Sequence, residues 1–135
     1  MAAGYSANPL YKKLGLKEGD IIKLINAPAK YKELIGDLYA KLYVANKATT
    51  DLNFIHFFTN SLKELEKQLP LLMQQIRKDG SIWVSWYKKS AAQTSELTEN
   101  VIRDTALAMG LVDVKVCAID EQWSGLKLVY RLKDR

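Results

Sequence analysis

The stretch Asp79-Gly80-Ser81-Ile82-Trp83-Val84-Ser85-Trp86-Tyr87-Lys88-Lys89 constrains the fold more than any other part of the chain. It reads as a turn at Asp79-Gly80, a buried strand from Ser81 to Trp86, and a pair of charges where that strand leaves the core. A long apolar-periodic segment precedes it, and another follows after a polar loop. That pattern predicts a parallel strand within an α/β sheet.

The remaining elements fit around this strand. Met1 to Asn8 is small and polar and is expected to lie on the surface or to dock through Tyr5. Leu10, Tyr11 and Leu14 form one amphipathic turn of helix with Gly15 as its C-cap. Ile21 to Ile25 is an almost continuously apolar strand, and Asn26-Ala27-Pro28 ends it. Ala29 to Leu38 has helical spacing, interrupted near Gly36, and Lys41 to Ala45 is a short strand placed toward a sheet edge. Leu52 to Phe58 is the next core strand. Ser61 and Glu64 have capping-box spacing for a helix carrying Leu62, Leu65, Leu69, Leu72, Met73 and Ile76 on one face, kinked or restarted at Pro70. Thr98 is the expected N-cap and Gly110 the C′ residue of the last long helix. Val112 to Ile119 and Leu126 to Leu132 are strands joined by the loop Asp120 to Gly125. A connection that short requires antiparallel pairing. The fold class is therefore three-layer α/β, Rossmann-like, a mostly parallel sheet ending in an antiparallel hairpin, and residues 1–135 are read as one domain.

The totals exclude several functions. The chain of 135 residues has 20 Lys plus Arg against 15 Asp plus Glu, a formal charge of +5 that is dispersed along the sequence. Helices expected on both sheet faces leave no platform for interleaved aromatic and basic residues, so nucleic acid is disfavoured as a partner. The single cysteine, Cys117, lies in an apolar run and reads as a small buried hydrophobe. No segment approaches the roughly eighteen apolar residues of a membrane span; a cytoplasmic protein without membrane contact is expected. The lone histidine, His56, sits between Ile55 and Phe57 and reads as a packed, hydrogen-bonded core residue. No zinc-ligand spacing accompanies it, so no metal is expected.

In an open α/β sheet, ligands bind beyond the carboxyl ends of the strands. This chain puts Asn26, Thr59 with Asn60, Ser85 with Lys88 and Lys89, and Asp120 with Trp123 and Ser124 there. Lys88 and Lys89 either hold a phosphate or carboxylate or solvate a strand end. Asp120 pairs with one of those lysines, holds a substrate hydroxyl, or caps its own loop. Trp123 is read as packing against the hairpin in preference to stacking on a ligand. Ser124 lacks a base partner, which disfavours nucleophilic catalysis. Pro28 and the absence of glycine after the first strand disfavour a phosphate grip at that turn, so no cofactor is expected.

Taken together, Gly4-Tyr5-Ser6, Pro9 to Gly15, Asp79 to Trp86, Lys88-Lys89, Leu97-Thr98-Glu99, Gly110 to Val116, Asp120 and Trp123-Ser124-Gly125-Leu126 resemble a family of small bacterial proteins catalogued as domain of unknown function 3052. Tyr87 stands where that family often has proline. The resemblance implies no activity. The order of elements also resembles the methyltransferase type of Rossmann fold, whose S-adenosylmethionine site relies on a glycine-rich first turn and an acidic residue ending the second strand. This chain has Asn26-Ala27-Pro28 at the first position and no acid at the second. The leading expectation is a non-enzymatic binding or regulatory protein with an anionic-ligand surface at the strand ends. The alternatives are a transferase on an anionic small molecule, and a structural or partner-binding subunit, which burial of the apolar edge near Leu42 to Val44 in a dimer would favour; the protein is expected to be a monomer or a homodimer.

Overall fold

The computed structural model describes residues 8–135, so the expectation for Tyr5 lies outside the described residues. Strands β1 (Ile21–Ile25), β2 (Tyr43–Val44), β3 (Leu52–Phe58), β4 (Ile76–Tyr87), β5 (Leu111–Ala118) and β6 (Trp123–Tyr130) form one sheet in the order β2-β1-β3-β4-β6-β5. The pairs β1/β2, β1/β3 and β3/β4 are parallel. β6 runs antiparallel to both β4 and β5, which completes the mostly parallel sheet with an antiparallel hairpin.

Helices cover both faces. α3 (Leu62–Gln75) and α4 (Glu99–Met109) press Leu65, Leu69, Leu72, Ile102 and Ala106 onto Ile55, Phe57, Ile82 and Val84. On the other face α1 (Leu10–Leu14) and α2 (Tyr31–Ile35) cover Ile22, Phe54, Phe58 and Trp83. Alternate residues of β3 and β4 feed the two cores, which is why both strands read as continuous apolar runs. Each such buried Leu, Ile or Phe side chain contributes about 1.5–3 kcal/mol.

Local signals set most boundaries. Gly15 and Gly110 take left-handed backbone at φ 81° and 102° and end α1 and α4. Ser61 accepts from the Glu64 amide at 3.1 Å and Thr98 from the Val101 amide at 3.2 Å. Glu64 does not return to the cap amide; its carboxylate takes the Thr59 hydroxyl, and Thr59 Oγ1 accepts from the Ser61 amide at 3.2 Å.

Five expectations are corrected. Asp79-Gly80 is not a turn: β4 begins at Ile76, which therefore leaves the helical stripe, and Asp79 and Gly80 lie inside the strand. A register shift between Leu52 and Phe54 absorbs the irregularity. Pro70 neither ends nor restarts α3, which runs unbroken from Leu62 to Gln75. β6 starts at Trp123, so the hairpin loop is shorter than Asp120 to Gly125. Leu132 belongs to a short 3-10 helix rather than a strand and is 79% exposed. At the opposite edge β2 is only Tyr43–Val44, both exposed.

One polar chain crosses the α1/α2 core. The Tyr31 hydroxyl lies 2.8 Å from His56 Nδ1, and His56 Nε2 lies 2.8 Å from Ser85 Oγ. His56 is fully buried, stacked on Phe58 at 4.2 Å and flanked edge-on by Phe54 and Tyr31. A neutral imidazole donates from one nitrogen and accepts at the other, so one hydroxyl donates into the ring and the other accepts from it. Burial pushes the His56 pKa down to about 3 and that of Tyr31 up. The apolar run around His56 predicts this packed state.

Two outcomes are expected. A Cβ on Gly80 would stand 2.8 Å from the Asn53 carbonyl oxygen, so Gly80→Ala should lower the urea midpoint by an amount corresponding to about 1–3 kcal/mol. Unfolded His56 takes a proton below its ordinary pKa near 6.5, whereas the folded residue resists protonation until about 3. Its contribution is complete above that ordinary value and is lost as pH falls toward 3. Subtracting the stability profile of His56→Leu from that of the wild type should isolate this slope, with the variant destabilised at neutral pH by roughly 1–3 kcal/mol through the orphaned Tyr31 and Ser85 hydroxyls.

Candidate functional site

Beyond Tyr87, the last residue of β4, Lys88 and Lys89 leave the sheet, and the chain returns at the N-terminus of α4. The space between them is a cleft of about 690 Å³ lined by Trp86, Lys88, Lys89, Thr98, Asn100 and Ser124. Thr98 caps α4 with its hydroxyl and accepts the Ile102 amide on its carbonyl at 3.1 Å. The Glu99 and Asn100 amides, at the positive end of the helix, have no carbonyl in the preceding turn. Glu99 also lines the cleft, and its carboxylate is neutralised by Arg103, which donates to Asp113 as well at 2.9 Å.

The loops around the cleft are stitched by backbone. The Lys88 amide donates to the Gln122 carbonyl at 2.8 Å, and the Ala91 amide to the Lys88 carbonyl at 3.0 Å. Asn60 Oδ1 accepts the Tyr87 amide at 2.8 Å, while its carbonyl accepts the Glu96 amide at 3.0 Å. These bonds fix the direction in which the chain presents Lys88 and Lys89.

The structure gathers three of the sequence candidates here: Lys88, Lys89 and Ser124, the last inside β6 opposite Trp86. Asn60 acts behind them as a clamp. Ser85 faces the other side of the sheet and is consumed by His56. Trp123 is packed edge-to-face on Phe58 at 4.9 Å and tilted against Tyr87 at 4.4 Å. Asn26 is held away from the cleft in left-handed backbone at φ 59°, its amide donating to the Phe58 carbonyl at 3.1 Å and toward Glu64 at 3.4 Å. Asp120 does not pair with Lys88 or Lys89. Its Oδ1 accepts the Gln122 and Trp123 amides at 2.8 Å each, so it caps its own loop. Its buried Oδ2 stands 3.3 Å from Lys30 Nζ, an ion-pair distance without hydrogen-bond geometry.

Sequence reading missed Thr98 and Asn100 as lining residues and Lys30 as the partner of Asp120. The first two carried a usable signal, because an N-cap that follows a sheet strand returns a helix N-terminus to the strand ends. Lys30 carried none. Among the described residues no group of three or more His, Cys, Asp and Glu is placed to hold a metal ion, and no helix is long and apolar enough to cross a membrane.

No protein-family model matches this sequence, and no curated protein does. Solved structures do. A protein described as a type 11 methyltransferase from Sulfolobus solfataricus is 14% identical over 90% of this chain and 89% of its own, with a TM-score of 0.63. A SAM-dependent methyltransferase from Aquifex aeolicus is 12% identical over 88% and 86%, also at 0.63. A TehB-like SAM-dependent methyltransferase from Corynebacterium glutamicum is 10% identical over 96% and 91%, at 0.55. At these identities the likeness concerns the fold alone: the chain has a Rossmann-like fold of the methyltransferase type.

Proposed function

We propose that this chain is a non-enzymatic binding or regulatory protein for an anionic small molecule, seated in the cleft between the end of β4 and the start of α4. The observation that carries the reading is the convergence of Lys88, Lys89 and the first turn of α4 on one cavity of about 690 Å³. That volume suits a metabolite-sized ligand. Two ammonium groups supply point charges for a phosphate or carboxylate, the α4 amides supply oriented donors, and the indole of Trp86 supplies an apolar wall. Ser124 offers a hydroxyl with no base beside it.

A transferase is the second reading, favoured by neighbours described as methyltransferases along most of both chains. The S-adenosylmethionine site that such a resemblance implies does not fit the residues present. Asn26 bridges from the first turn to the Phe58 carbonyl, Pro28 lacks an amide, and Asn46 after β2 is spent accepting the Leu24 amide at 2.9 Å. No methyl-transfer step is therefore derived. The resemblance to domain of unknown function 3052 rests on the sequence motifs alone, and a cytoplasmic location on the single cysteine. A structural-subunit role would use the exposed strip of Ile21, Tyr43 and Val44 at the β2 edge, which suits a homodimer.

The test is thermal shift and calorimetry against nucleotides, coenzyme A, pyrophosphate, sugar phosphates, S-adenosylmethionine and S-adenosylhomocysteine. A true ligand should stabilise the wild type by about 2.7 kcal/mol at a hundredfold excess over its dissociation constant. Lys88→Ala/Lys89→Ala should weaken it roughly tenfold or more. Methyl transfer from S-adenosylmethionine would replace this reading with the second, and silence across the panel would sink both.

A further inference from the structure

The β5–β6 hairpin carries a charge arrangement that folding alone does not favour. Lys115 and Lys127 are direct register partners on neighbouring antiparallel strands, and like charges so placed repel. Lys115 Nζ donates to the Lys13 carbonyl at 3.0 Å, and Lys127 Nζ lies over Gly15, 3.4 Å from where a Cβ would be. Partial burial lowers the Lys127 pKa, and Lys115 and Lys17 lower it further. The ion pairs of the described residues join Lys30, Lys41, Arg77 and Arg103 to carboxylates and leave Lys13, Lys17, Lys115 and Lys127 with none. Residues 1–7 contain no Asp or Glu.

Beside these ammonium groups is a hollow of about 520 Å³, bounded by Lys17, Lys127, Asn53, Val114, Asp20 and Asp79. It lies toward the starts of β1 and β3, away from the cleft at the end of β4. We propose that this hollow is a second binding site, for a phosphorylated sugar, with Lys127 and Lys17 taking the phosphate and Asp20 and Asp79, the latter ion-paired with Arg77, accepting from the hydroxyls. A bound phosphate would supply a direct partner for lysines that make no ion pair, which offsets the repulsion across the hairpin. The two carboxylates in the lining, Asp20 accepting the Lys17 amide at 2.9 Å, disfavour an extended polyanion and suit a ligand with one anionic end and a hydroxyl-bearing body. Val114, which is 53% exposed, gives that body an apolar surface to lie on.

The probe is ribose 5-phosphate, titrated at low ionic strength and followed by backbone amide shifts and thermal stability, with ribose and a short RNA as comparisons. The wild type should saturate with shifts centred on Lys17, Val114 and Lys127, and ribose should produce none. Lys127→Met should bind roughly tenfold or more weakly, yet melt higher than the wild type without ligand, because one of the repelling charges is gone. Lys17→Gln, at the other lysine lining the hollow, should likewise weaken binding, and Lys88→Ala/Lys89→Ala should leave this site unchanged. Absence of saturable shifts in the wild type would overturn the proposal even if Lys127→Met is stabilised. Salt-sensitive RNA binding lost in Lys127→Met, without a response to ribose 5-phosphate, would overturn it in favour of a nucleic-acid surface. Shifts that follow Lys88 and Lys89 would assign the sugar phosphate to the β4–α4 cleft instead.

Discussion

A histidine sealed from water must find both its partners inside the protein, and His56 finds them on two other elements. Tyr31 reaches it from α2 and Ser85 from β4, so one imidazole fixes the helix, the strand it sits on and the neighbouring strand relative to one another. The rings of Phe54, Phe58 and Trp83 close around that chain. An apolar core tolerates many repackings, whereas a three-membered polar chain with both ends buried tolerates few. The position of α2, and with it the turn between β1 and α2, follows from this requirement.

That turn distinguishes the chain from the scaffold it shares. Asn26 adopts left-handed backbone where the resemblance would call for glycine, and spends its side chain closing the gap to the end of β3. Lys30 then reaches Asp120 at the far hairpin, and Trp123 fills the ground between on Phe58 and Tyr87. The first turn is thus tied down by its own side chains, through Asn26 to the Phe58 carbonyl and Lys30 to Asp120. The open space at the strand ends lies farther along the sheet, beside β4 and α4.

The parts of the fold that were legible in the sequence are those set by local chemistry. Ser61 and Thr98 as caps, Gly15 and Gly110 as left-handed stops, and the apolar run Leu52 to Phe58 each depend on residues close in sequence. Asp79-Gly80 misled because its turn preference is overridden by pairing with the start of β3, where Leu52 meets Ile76. Pro70 misled for a similar reason: the packing of Leu65, Leu69 and Leu72 on either side carries the helix through it. At the candidate site Lys88 and Lys89 were legible as charges ending a buried strand. The separation of Asn26 and Asp120 from them was not, because it depends on Phe58, Glu64 and Lys30, contacts that no spacing in the chain encodes.

The position of β6 has a consequence for synthesis of the chain on the ribosome. β4 occupies the middle of the sheet, yet one of its two neighbours is the last of this sheet's strands to be made. Until residues Trp123–Tyr130 emerge, a nascent chain with β1, β3 and β4 already paired presents the bare side of Ile82, Trp83 and Val84 to other chains. Such an edge invites intermolecular pairing. Asp79 and the Lys88-Lys89 pair bracket that segment and act as gatekeepers against it. The same two lysines that end a strand in the finished molecule thereby shield it during the interval before its partner arrives.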